Sequence, residues 1–346
     1  MKVSVVVPFY NAERTLAECL EALADQDYAE YEVILVDNNS TDLSPAIARE
    51  FLETHPDFEA QLVREQRQGV SIARNTGARL ATGEIIANTD SDCLPTRSWL
   101  SELVEAFADE EIAAVAGNID TRRPENIYEL FSALFTLQSR EREAKYQEYT
   151  LTQGGCAAAN LAVRRNWFVD LEGFDESAHY RGRGLSDDQD FLARLNQRGG
   201  TLWAITGATV LHWHRSSFFS MVHQVYLYGL IHAIVTRQYG KQGILITVWG
   251  REFFVPWPVK GWIDFDALDK KIALLLVAGV LDPAAFVLLA LYLIVQVAKM
   301  KRRVWSKGSE TSWGKSAVLL VLLLVKSGAI TCGRLWGSLL KRVVCI

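Results

Sequence analysis

Three short apolar runs, each stopping at a polar or acidic loop, limit this chain to a narrow set of folds. Val3-Ser4-Val5-Val6-Val7 is ended by Pro8-Phe9-Tyr10-Asn11. Tyr31-Glu32-Val33-Ile34-Leu35-Val36 gives way to Asp37-Asn38-Asn39-Ser40-Thr41-Asp42, and Ile85-Ile86-Ala87 leads into Asp90-Ser91-Asp92. β-Branched runs of this length read as buried parallel strands. Between them Leu16, Cys19, Leu20 and Leu23 recur at helical spacing. Pro45 to Leu52 follows Ser44 or Asp42 as a cap, and residues 69–83 read as a helix closed by Gly83. Right-handed crossovers between such units bring the three strand ends to one edge of a sheet, where open α/β sheets bind ligands.

Two carboxylates one residue apart at a strand mouth, Asp90 and Asp92, suit a hard divalent cation, Mg²⁺ or Mn²⁺, holding a diphosphate. Taken alone, such a pair reads more readily as an acidic turn or helix cap. Its company decides between them. The opening Val-Ser-Val-Val-Val-Pro-Phe-Tyr-Asn, Val-Ile-Leu-Val-Asp-Asn-Asn-Ser-Thr-Asp, Ala73-Arg74-Asn75, the Asp-x-Asp, Gly173-Phe174-Asp175 and Ser186-Asp187-Asp188-Gln189-Asp190-Phe191 follow one another in order. This set, over about residues 2 to 215, resembles glycosyltransferase family 2. The resemblance implies inverting enzymes with a GT-A fold: α/β, Rossmann-like, a mostly parallel sheet flanked by helices.

The resemblance assigns residues. Pro8, Tyr10 and Asn11 would wall the nucleoside pocket, and Asp37 would accept an imide N–H of the nucleobase; a turn cap is its plainer role. Arg74 would approach the nucleotide, or be a solvated helix arginine. Asp90 would face ribose and metal, and Asp92 would bind the metal. The small-residue stretch Gln153 to Asn160, with Gly154, Gly155 and Asn160, would line the acceptor and donor-sugar region, or be a tightly packed strand. Asp188 is the candidate general base, with Asp187 the alternative, since the family's Glu-Asp is Asp-Asp here. Dipole compensation at a helix start would also explain these acids. His212 and His214 flank Trp213 after an apolar strand. Alternation puts both on one side, where one could complete the metal shell or touch the diphosphate. The Gln-x-x-Arg-Trp signature of processive synthases is absent, which favours transfer of single sugars.

Charge and hydropathy add a membrane. From Lys299 onward ten Lys or Arg face one acid, whereas the first 298 residues hold 26 bases against 40 acids. A basic, apolar tail on an acidic body suits anionic lipid and excludes nucleic acid as a partner. Five scattered cysteines, without a Cys-x-x-Cys, read as small buried residues in a reducing compartment. No signal peptide is visible, since Val3–Val7 is too short and ends at Pro8. Ser216 to Gln242 reads as a helix. Residues 244–258 concentrate aromatics and prolines like an interface or a half-span. Ile272 to Ala298 is apolar but broken at Asp282-Pro283, which predicts a re-entrant hairpin whose arms are too short to cross. Ser316 to Val325 reaches spanning length only if continued to Leu340.

These observations predict three regions: a GT-A nucleotide-sugar transferase domain over 1–215, an interfacial helical and aromatic region over 216–270, and a membrane-associated tail over 271–346. The expected activity is metal-dependent inverting transfer from a nucleotide-diphosphate donor, a UDP-sugar favoured, to a lipid-linked or glycan acceptor. The expected address is the cytoplasmic membrane, with the catalytic domain facing the cytoplasm and the setting envelope polysaccharide or glycolipid assembly. The alternatives are a polyprenyl-phosphate glycosyltransferase, which needs no general base, a membrane-tethered nucleotide-sugar-binding protein without turnover, and a metal-dependent phosphohydrolase.

Overall fold

A computed structural model describes residues 1–136, 139–149, 156–177, 187–306 and 312–346. In chain order its elements are β1 Val3–Phe9, α1 Leu16–Ala24, β2 Tyr31–Asp37, α2 Ser44–Thr54, β3 Ala60–Arg64, α3 Val70–Leu80, β4 Ile85–Thr89, β5 Cys93–Pro95, α4 Trp99–Ala106, β6 Ile112–Ala116, β7 Ile119–Thr121 and α5 Ile127–Phe135. There follow β8 Ala144–Tyr146, β9 Asn160–Arg164, α6 Arg165–Asp170, α7 Asp187–Gln197, β10 Thr201–Ala204, β11 Val210–His212 and α8 Phe218–Tyr239. The last are β12 Ile244–Val248, β13 Arg251–Val255, β14 Gly261–Asp264, α9 Leu268–Leu281, α10 Ala284–Ser306, α11 Trp313–Lys341 and β15 Val344–Cys345. They form two compact units, Met1–Arg123 with Leu137–Trp213, and Pro124–Thr136 with His214–Ile346.

The first unit is built on an eight-stranded sheet of order β3-β2-β1-β4-β9-β6-β10-β8. β1 lies parallel to both β2 and β4, and β3 parallel to β2, so the three expected strand ends do share one edge. β9 runs antiparallel between β4 and β6. The central strands β1 and β4 are buried along their whole length, which is why they lack the alternation of a half-exposed strand. Two apolar layers cover the sheet, one with Leu16, Leu20, Trp99 and Leu103, the other with Ala73, Phe168, Phe174 and Phe191.

The structure alters two local readings here. β3 carries no strong strand signal, because its residues are only partly buried at the sheet edge. Helix α3 stops at Leu80 rather than at Gly83. Thr82 leaves the helix to donate both its N–H and its hydroxyl to Glu32 Oε1, at 2.8 and 2.7 Å, and Gly83 N–H bonds Ser4 Oγ at 2.8 Å. Gly83 is thus a docking point on β1, where a Cβ would meet Lys2 O and Ser4 N at 2.7 Å.

In the second unit α8 and α11 pack through small residues. A Cβ on Gly229 would come 2.0 Å from Ile330 O, one on Gly333 2.1 Å from Tyr226 O, and one on Gly337 2.6 Å from Ala233 Cβ. Such contact between backbones is the small-residue packing of helices in lipid. Residues 244–258 are not a helical half-span. β12 and β13 form a hairpin turned at Trp249 and Gly250, both at positive φ, and Asp266 fixes the turn by accepting both their N–H groups, at 2.8 and 2.7 Å. Nor are the arms around Asp282-Pro283 both short. α9 has 14 residues, but α10 has 23 and starts where Asp282 Oδ1 accepts the Ala284 N–H at 2.9 Å. The last apolar run does extend, as one 29-residue helix, α11. Among the described residues three helices, α8, α10 and α11, are long and apolar enough to cross a membrane. Large apolar side chains stand exposed along α9 and α10, with Val280 81%, Leu281 84% and Ile294 63% accessible.

Candidate active site

The parallel register sets Phe9 opposite Asp37, so the loops leaving β1 and β2 begin side by side. Asp37 is buried, and its Oδ1 accepts the Ser40 N–H at 2.9 Å. The turn-cap role is therefore real, and it occupies one of the two oxygens. Asn38 braces the next loop, accepting the Gly69 N–H and donating to Arg67 O, both at 2.8 Å. Asn11 sits at φ +49° with its Oδ1 accepting the Thr41 N–H at 2.8 Å, which ties the two loops together. Pro8 is buried within β1. Of the three residues expected to wall the pocket, only Tyr10, 52% accessible, offers a large exposed side chain.

Arg74 is no solvated helix residue. Helix α3 presses onto β1 and β2 at Gly77, where a Cβ would meet Val6 Cγ1 at 2.4 Å. That approach buries Arg74, whose two terminal nitrogens reach Asp90 Oδ1 at 2.6 Å and Asp187 Oδ2 at 2.9 Å. Burial lowers its pKa, but the charges of Asp90 and Asp187 outweigh that and hold the guanidinium above its ordinary value. Ser71 Oγ also donates to Asp187, at 3.1 Å. Asp187 is thereby engaged in a buried ion pair, while its neighbour is held differently. Asp188 accepts the N–H groups of Gln189 at 2.7 Å and Ala158 at 3.4 Å. Burial, and then the adjacent charge of Asp187, push its carboxyl up to about 7.

The remaining motif residues lock these elements together. Asn75 exchanges two hydrogen bonds with the backbone of Phe174, at 2.8 and 2.9 Å. Asp190 accepts from Arg194 Nε at 2.8 Å, and Arg194 donates to Gly173 O at 2.8 Å. Asn160, expected near the acceptor, faces the interior instead. Its Oδ1 accepts from Trp99 Nε1 at 2.8 Å and its amide donates to Asn118 O and Ala208 O, each at 2.7 Å. Gly154 and Gly155 lie outside the described residues.

The second acidic position meets the histidine. β11 pairs antiparallel with β5, His212 opposite Cys93, and Trp213 N–H bonds Asp92 O at 2.9 Å. His212 Nε2 consequently lies 3.6 Å from Asp92 Oδ1. The ligand atoms of Asp92, Cys93 and His212 all fall within 4.8 Å of one another. Burial and the charges of Asp92 and Asp90 raise the Cys93 thiol well above its usual range, which leaves the carboxylate and imidazole as the better donors. One oxygen and one nitrogen donor fit a divalent ion that takes its remaining ligands from diphosphate and water oxygens. The imidazole tilts that fit toward Mn²⁺ over Mg²⁺. β11 ends at His212, so His214 does not continue the expected strand alternation. Beside this cluster Arg122 stacks on the Trp213 ring at 3.8 Å, with Arg14 at 5.9 Å. Arg122 belongs to a stretch without any motif, and no sequence signal would have found it.

Residues 4–171 match the family model described as glycosyl transferase family 2. The chain is 32% identical over 176 residues to glycosyltransferase AglE of Haloferax volcanii, covering 50% of this chain and 55% of that protein. It is 27% identical over 189 residues to the glucosyl-dolichyl phosphate glucuronosyltransferase of the same organism, covering 53% and 58%. The chain thus spans a little over half the length of these curated relatives. Among solved structures it is similar to the mannosyltransferase PcManGT of Pyrobaculum calidifontis in complex with GDP-Man and Mn²⁺. The TM-score is 0.55 at 24% identity, over 97% of this chain and 87% of that one, and the likeness is one of fold. Residues 4–171, just under half of the chain, are thus similar to glycosyl transferase family 2, and the ordered motifs and the sheet of the first unit agree with that match.

Proposed function

We propose that the protein transfers a single sugar, with inversion, from a nucleotide-diphosphate donor to a lipid-linked or glycan acceptor at the cytoplasmic face of a membrane. The observation that carries the metal-dependent part is the 3.6 Å approach of His212 Nε2 to Asp92 Oδ1, next to Asp90. Asp92 and His212 would hold Mn²⁺ or Mg²⁺, and such an ion supplies charge neutralisation of a departing diphosphate. Asp37 Oδ2 would accept a nucleobase N–H, favouring a uridine diphosphate sugar. Arg74 keeps Asp90 in place through a short charge-assisted bond.

Asp188 is the residue we assign as general base. Asp187 is held by Arg74 and Ser71, whereas a carboxyl raised to about 7 is matched to taking a proton from an acceptor hydroxyl. That hydroxyl oxygen attacks the anomeric carbon opposite the diphosphate, and the bond to the diphosphate breaks as the new glycosidic bond forms. A membrane-bound acceptor is supported by the three helices of spanning length, and by the relative named for acting on glucosyl-dolichyl phosphate. The basic segment Lys299 to Arg303 supports a cytoplasmic orientation.

Mn²⁺-dependent binding of a panel of nucleotide sugars to the detergent-purified chain tests this reading. One sugar nucleotide should bind tightly, and Asp92→Asn and Asp37→Ala should each abolish binding. Binding that ignores metal and both substitutions would overturn it. If Asp188→Asn left transfer unchanged, an acceptor phosphate needing no base, as in polyprenyl-phosphate transfer, would be favoured instead.

A further inference from the structure

The second unit contains a cavity of 510 Å³ lined by none of the residues assigned to the transfer reaction. It opens between α9, α10 and α11, with Phe135 of α5 and the loop after β14 completing its wall. Four cations line it: Lys271, Lys299, Arg303 and Lys326. Two carboxylates, Asp264 and Asp266, share the lining.

Those carboxylates are already engaged. Asp266 Oδ1 pairs with Lys271 at 3.1 Å, and both its oxygens accept the N–H groups of the Trp249-Gly250 turn. Asp264 pairs with the buried Arg334 at 3.3 Å. Lys299 and Lys326 form no ion pair with a carboxylate among the described residues, Lys326 Nζ donates to the Phe135 carbonyl oxygen, and Arg303 lies over the Phe135 ring at 4.8 Å. Lys299 and Lys326 therefore leave the cavity with a surplus of positive charge, and Tyr292 and Gln296 are further donors.

Its other walls are apolar, from Leu323, Ile330 and Met300. The cations of α10 begin where its apolar run ends, and Leu288, Leu291 and Ile294 of that run stand more than half exposed. A ligand with an anionic head in the cavity can lay an alkyl chain along that surface. Basic pockets between membrane helices bind phosphate-bearing head groups in this way. We infer that this cavity is a binding site for the phosphate head group of a membrane lipid, separate from the donor site and independent of the assignment made there.

Binding of short-chain phosphatidic acid to the full chain in detergent tests the site, with short-chain phosphatidylcholine and inorganic phosphate as the comparison ligands. Lys299→Ala with Arg303→Ala should weaken phosphatidic acid binding by about tenfold or more. Lys301→Ala with Arg302→Ala removes equal charge from the same helix outside the cavity, and should leave binding within about twofold. Should the first pair lower the melting temperature, Lys299→Gln alone is read in its place. Equal losses for both pairs, or no loss for either, would reduce the effect to general surface charge. Inorganic phosphate binding as well as the lipid would make the ligand a soluble anion, and phosphatidylcholine binding equally would remove the role of the cations. Each of those results overturns the inference.

Discussion

His212 Nε2 lies 3.6 Å from Asp92 Oδ1 because the strand carrying the histidine pairs with the strand that follows the aspartate. Two residues far apart in sequence thus face the same point in space. If both hold the metal, His212→Ala should raise the Mn²⁺ concentration for half-maximal transfer by at least about tenfold. A metal titration of nucleotide release, run beside Asp92→Asn, checks this. An unchanged half-point would leave the histidine as a packing residue.

Among the described residues Arg74 is the one ion-pair partner that Asp90 and Asp187 share. Arg74→Met should destabilise the chain by about 3–5 kcal/mol, since it strands Asp187 as a buried, unpaired charge. Arg74→Lys keeps the charge but cannot span both carboxylates with a rigid fork, so an intermediate loss is expected. Thermal unfolding of both variants in detergent measures the order.

The pH dependence should report Asp188. A base whose carboxyl titrates at about 7 is inactive when protonated, so kcat/KM should fall as pH drops through about 7. Asp188→Asn should abolish transfer while leaving donor binding largely intact. The stability sign is opposite to that of an ion-paired acid. Because burial raises this carboxyl in the folded state, its contribution favours folding at low pH and is lost as pH climbs from the ordinary aspartate range toward about 7. Asp188→Asn should therefore gain stability over the parent at about pH 8 and none at about pH 4. Melting curves at the two pH values decide it.

The contact of α8 with α11 leaves no room for side chains at Gly229 and Gly333, where the opposing atoms are backbone carbonyls. Gly333→Val should collapse the yield of folded protein in membranes. Gly328→Ala on the same helix meets nothing within 4 Å and should be tolerated, gaining slightly from helix propensity. Detergent-resistant yield by size exclusion distinguishes the two.

What the amino-acid sequence determined by itself was local and periodic. Continuous apolar runs marked β1, β2 and β4 because strands buried on both faces need no alternation. Their abrupt polar ends marked one edge of the sheet, and the ordered motifs marked the resemblance to glycosyltransferase family 2. Tertiary structure alone decided the rest, wherever the partner is distant in the chain. Nothing local to Arg74 distinguishes a solvated arginine from one buried between Asp90 and Asp187. Nothing in the Asn160 segment tells that its amide would be engaged by Trp99, Asn118 and Ala208. The aromatic stretch after Gly243 reads as an interface by composition, yet it pairs as a hairpin because the positive φ of Trp249 and Gly250 turns it back on itself. Pairing β11 with β5 was likewise invisible, and it is that pairing which brings His212 to Asp92.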